Sequence, residues 1–77
     1  MRANISALIN LAHARGWSIP ELAAHLRINY SYLFRILKGQ KQGGAKLFAG
    51  IYLLCQQEGL DMEDFILMED QPDSPGG

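Results

Sequence analysis

Seventy-seven residues, 48% of them hydrophobic, make one small domain with a limited core and leave no room for a second. A single cysteine, Cys55, rules out an internal disulfide and a cysteine-based metal cluster, which suits a reducing cytoplasm. The net charge of −1 conceals a division. Residues 1–46 hold all seven cations (Arg2, Arg15, Arg27, Arg35, Lys38, Lys41 and Lys46) and one acid, Glu21, for a net +6, whereas residues 47–77 hold seven acids and no cation. An anionic partner would meet the first half.

No apolar run reaches the 18 or so residues that a membrane-spanning helix needs, and no charged-then-apolar leader opens the chain. The expectation is a soluble, unexported protein without a membrane partner.

Taken in order, residues 5–15 (ISALINLAHAR) put Ile5, Leu8, Ile9 and Ala12, and arguably Leu11, on one helical stripe, with Asn4 as N-cap and Gly16 past the end. Arg15 complements the dipole of the last turn. Ser18-Ile19-Pro20-Glu21 carries a capping box: the serine oxygen accepts from the N3 amide while the glutamate reaches back to the serine N–H. Pro20 is harmless where first-turn amides lack helical partners. Trp17 and Leu22 are spaced for a hydrophobic staple across this start.

Leu22, Leu26, Ile28, Leu33 and Ile36 fall at i, i+4, i+6, i+11 and i+14, a spacing no single straight helix can direct to one core. Two helices, about 19–26 and 30–38, joined by a tight turn at 27–29, satisfy it. Ala23 supplies the small side chain that a steep crossing needs. On the second of these helices Leu33, Ile36 and Leu37 face inward. Ser31, Arg35 and Lys38 point directly away, Tyr32 and Phe34 flank that outer face, and Tyr30 lies at the margin of the buried side. These aromatics suit either DNA contact or packing against another helix or a partner protein.

Gln40 to Gly44 reads as a flexible connector in which Lys41, between Lys38 and Lys46, suits phosphate contact. A helix over about 45–57 follows, with a core stripe of Leu47, Phe48, Ile51, Leu54 and Cys55, and with Gly50 open to a close approach of another backbone. Gly59 ends it. Asp61 is placed to cap a fifth helix, Met62 to about Met68, leaving Tyr52, Leu53, Leu67 and Met68 as apolar surface for symmetric pairing. The last nine residues, EDQPDSPGG, have the composition of a disordered acidic tail that would compete with nucleic acid for the basic half.

The run Trp17-Ser18-Ile19-Pro20-Glu21-Leu22-Ala23, then Ile28, then Ser31 to Gly39 (SYLFRILKG), resembles the lambda-repressor-like (XRE/Cro type) helix-turn-helix family over about residues 5–66. The resemblance implies an all-α, compact five-helix domain whose second and third helices form the helix-turn-helix. It also implies a sequence-specific transcriptional regulator, a repressor dimer that occludes its operator with helix 3 in the major groove. The DNA-binding residues would be Tyr30, Ser31, Tyr32, Phe34, Arg35, Lys38 and Lys41, and the partner double-stranded DNA, with a homodimer through helices 4 and 5. The implied setting is the cytoplasm of a bacterium or phage host, on the nucleoid.

The chain departs from the family in three ways: Arg27 replaces a turn glycine, Ile19 replaces a glutamine, and Ala12 and Leu37 replace an arginine–glutamate ion pair. Exchanging both members of a buried pair for apolar groups strands no charge. The alternative reading is a protein-binding adaptor or antitoxin-like module on the same fold. His13, His25 and Cys55 offer no nucleophile, base and orienter at workable spacing, so neither an enzyme nor a cofactor, metal or small-molecule ligand is expected.

Overall fold

The computed structural model describes residues 2–67. Strand β1 (Arg2–Ala3) leads into helices α1 (Ile5–Arg15), α2 (Ile19–Leu26), α3 (Tyr30–Leu37) and α4 (Ala45–Glu58). A single 3₁₀ turn (Met62–Phe65) and strand β2 (Ile66–Leu67) follow. Among the described residues the architecture is thus mostly helical, with four α-helices rather than five. No helix among the described residues is long and apolar enough to cross a membrane.

The helix ends follow from local chemistry. Asn4 caps α1 by accepting from the Ala7 amide at 3.2 Å. Both halves of the capping box on α2 are made: the Ser18 N–H donates to the Glu21 carboxylate at 2.7 Å, and the Glu21 N–H donates to Ser18 Oγ at 3.3 Å. The Ser18 amide is also what chiefly holds the Glu21 carboxyl below the ordinary carboxylate range. Because that value is lowered in the folded state, its contribution is present at neutral pH and is lost as pH falls through it.

Arg27 adopts the left-handed conformation, φ 60°, as the residue ending α2. Its amide bonds back to the Ala24 carbonyl at 3.1 Å and that of Ile28 to the Ala23 carbonyl at 3.0 Å, which turns the chain sharply into α3. A side chain at this φ costs backbone energy that glycine would not.

Leu8, Leu22, Leu26, Leu33, Leu47, Ile51 and Leu54 are fully buried and make one core with Leu11, Ala12, Ala23, Ile36, Cys55 and Phe65. Among the described residues no polar or charged side chain is buried. The expected stripe on α1 is displaced: Leu11 is buried with Leu8 and Ala12, while Ile9 is half-buried. On α4 Phe48 is likewise half-buried and Gly50 takes the inward place between Leu47 and Leu54. Ala12 is buried and Leu37 packs on the same core, so these two positions are apolar in structure as in sequence.

Gly50 sets how closely α4 approaches α2. A Cβ there would stand 2.2 Å from the Leu26 carbonyl oxygen, so the two backbones meet at this point with no room for a side chain. Since Leu26 ends α2 and Arg27 begins the turn, this contact fixes where α3 is presented.

The expected fifth helix is not formed. Asp61 makes no side-chain cap, one 3₁₀ turn buries Phe65, and the chain then extends. β2 pairs antiparallel with β1, Arg2 opposite Leu67 and Ala3 opposite Ile66. The Asn4 N–H continues the ladder by donating to the Phe65 carbonyl at 2.8 Å. Burial of Phe65 draws the segment across the core, where extended backbone finds a partner strand. The assignments to Met68 and to an acidic tail lie outside the described residues.

Candidate nucleic-acid interface

Asn29 starts α3, its side chain accepting from the Ser31 amide at 2.7 Å. From there residues four apart form rows along the helix surface. Tyr30, Phe34 and Lys38 make one row. The Tyr30 and Phe34 rings stack with centroids 5.8 Å apart, and Lys38 Nζ stands 5.0 Å over the Phe34 ring. Ser31 and Arg35 make the adjoining row, both exposed. Tyr30 and Phe34 retain 44% and 40% exposure, values that leave both rings available beside the cations.

Tyr32 stands apart from these residues. It is half-buried against the core on the opposite flank of α3, and its Oη accepts from the Gly44 amide at 3.1 Å. Lys41 Nζ lies 5.8 Å over its ring. Tyr32 thus fastens the connector between α3 and α4, where Gly44 has no side chain with which to cap α4, and it brings Lys41 alongside the helix. Tyr32→Phe should leave melting within about 1.5 kcal/mol of the parent, the worth of one hydrogen bond. Hydrogen exchange at Gly44 should accelerate; unchanged exchange there would remove the fastening role.

A groove of about 610 Å³ opens between the 27–29 turn and α4. Its floor includes Leu26, Ile28, Gly50 and Leu53, and its rim carries Arg27, Lys41 and Lys46 with no acid. All three cations are exposed. Arg15, by contrast, is engaged elsewhere. It pairs with Glu58 at the end of α4 and lies 6.0 Å from the Trp17 ring centre, and Trp17 in turn stacks on His25 at 3.8 Å. Partners 43 positions apart leave no local spacing signal, which is why sequence reasoning missed this pair.

Two further residues turn inward. Ile19, which replaces the glutamine of the resembled family, is partly buried and packs against the core. The Cys55 thiol is buried, and burial first, then Asp64 and Asp61, raises its pKa, so it packs as an apolar group. Among the described residues no group of His, Cys, Asp and Glu is placed to hold a metal ion.

What remains is a short helix presented across a tight turn, with two cations, a hydroxyl and two rings outward, flanked by a second cationic rim. No curated protein and no solved structure matches the chain. The family model of the homeodomain-like domain, a helix-turn-helix DNA-binding type, does match, over residues 3–48, from β1 through α3 into the start of α4. This chain therefore belongs to the homeodomain-like helix-turn-helix family.

Proposed function

We propose that this chain is a sequence-specific DNA-binding transcriptional regulator, a repressor that acts as a dimer by occluding its operator. The observation that carries the reading is the outer side of α3, where Ser31, Arg35 and Lys38 are exposed beside the Tyr30 and Phe34 rings and the helix holds no acid. A major groove about 12 Å wide admits one such helix. Arg35 is equipped for a bidentate pair with guanine, Ser31 for a base edge, and Phe34 for a thymine methyl. Lys38 and Lys41 are equipped for phosphates.

Within helix-turn-helix proteins we favour the lambda-repressor-like (XRE/Cro) branch. The capping box before Leu22, the small Ala23 and the closing Gly39 support it. Exposed Tyr52 and Leu67 support pairing of two copies through α4 and β2, which would set their α3 helices about 34 Å apart. We place the protein in a reducing bacterial or phage-host cytoplasm, on the nucleoid, with no enzymatic role. A second reading, a protein-binding adaptor or antitoxin-like module, is favoured by the exposed Tyr30–Phe34 stack, since DNA contacts are more polar than this pair.

Titrating random and operator-enriched duplex in a mobility shift at two salt concentrations decides between them. The expected result is binding that weakens steeply with salt and is tighter for selected sequences. Absence of duplex binding at low salt would refute the regulator and leave the adaptor.

A further inference from the structure

The groove between the 27–29 turn and α4 has a one-sided lining. Its polar side chains are Arg27, Asn29, Tyr32, Lys41 and Lys46, and no acid is among them. Asn29 commits its side-chain carbonyl to the Ser31 N–H, which leaves its amide group to donate. Tyr32 Oη accepts from the Gly44 N–H and keeps its own proton. Every polar side chain on the groove can therefore donate, and among the described residues no carboxylate pairs with the three cations. Below them Ile28 and Leu53 are half-buried, so apolar surface there is still open to cover.

Arg27 carries a second signal. Among the described residues it is the one non-glycine at positive φ, 60°, where glycine would turn the chain without strain. A glycine would bring no guanidinium to the rim. Strain of this kind gathers at ligand sites. The space enclosed, about 610 Å³, lies in the range of small-molecule pockets. A duplex phosphate answers the rim but brings no apolar body for the floor. Arg27, Lys41 and Lys46 come to one groove only through the fold, so the residue order announces no such ligand.

We propose that the groove binds a small organic anion, a carboxylate or a phosphate ester, with its charge on the cationic rim and its apolar body over Ile28 and Leu53. The planar fork of Arg27 matches either head group with two parallel N–H donors. Lys41 also faces duplex phosphates in the DNA reading, so the bound anion competes for it and loosens the duplex. The binding stands without that reading; the competition rests on it.

The test titrates the full chain with octanoate and with octyl phosphate below their micelle concentrations, following the amide shifts of Arg27, Ile28, Lys46 and Gly50. Octanol lacks the charge and acetate the body. Expected is saturation at these amides by one or both anions, roughly tenfold tighter than by octanol or acetate, the worth of a hydrogen bond to a charged group. Saturation by one alone assigns the head group. Arg27→Gly should melt higher than the parent, its strained φ relieved, and bind the anion roughly tenfold more weakly. Three results would overturn the proposal: no saturation by either anion, octanol or acetate binding as tightly, or undiminished affinity in the Arg27→Gly variant. The competition is read separately. A saturating anion should weaken random-duplex binding roughly threefold at low salt, about one exposed charge contact. If the groove amides saturate but duplex binding is unmoved, the competition fails and the site stands. If the parent binds no duplex at all, the DNA reading fails and the site still stands.

Discussion

Gly50→Ala should lower the stability of the domain by about 2 kcal/mol, against the trend for glycine in a helix. Alanine is the better helix former by about 1 kcal/mol, so a solvent-facing glycine replaced this way would gain stability. Here the added Cβ would meet the Leu26 carbonyl oxygen at 2.2 Å and its carbon at 3.1 Å. Backbone cannot rotate aside as a side chain does, so α4 must move away from α2. Overpacking of this kind costs about 1–3 kcal/mol, and a backbone clash belongs at or beyond the upper end. With roughly 4–8 °C per kcal/mol in a domain of this size, melting followed by circular dichroism should fall by about 10 °C with helix content retained. A melting point equal to or above the parent would contradict the close approach. Since Leu26 precedes the turn into α3, the same substitution should weaken duplex binding even where the variant is folded.

The second large effect concerns the outer face of α3. Arg35→Gln with Lys38→Gln should relax sequence preference at the base pairs Arg35 reads and reduce the salt slope of duplex binding by about one unit, that of the Lys38 phosphate contact. Both side chains are exposed, so melting should change by less than about 1 kcal/mol. Lys38→Gln alone should act almost equally on all sequences, because its ammonium lies over Phe34 on the row that borders the face. Arg35→Gln alone should relax preference at one or two base pairs, at about 1–3 kcal/mol of discrimination. Wild-type affinity and salt slope in the folded double variant would exclude α3 as the reading element.

Much of this protein is determined locally and was therefore legible in its residues. The Ser18–Glu21 box, the Asn4 cap and the apolar spacing from Leu22 to Ile36 each act within a few positions, and they located α1, α2, the turn and α3. The outward set of Ser31, Arg35 and Lys38 follows from the same 3.6-residue period. Tertiary contact decided the rest. Two-residue strands carry no periodicity, so β1 and β2 exist only because Phe65 docks on the core and brings position 67 opposite position 2. The period alone ranked Ile9 above Leu11 on the α1 stripe, and the neighbouring helices reversed that order by covering the side that carries Leu11. Tyr32 and Phe34 are equivalent on a helical wheel, yet the α3–α4 connector claimed the first through its hydroxyl and left the second exposed. Sequence alone thus located α1 to α4 and the side their charges take, since those depend on near neighbours, but not the course of the chain after Gly59. Which of two matching side chains meets solvent depended on what packs beside it, and only the folded chain contains that.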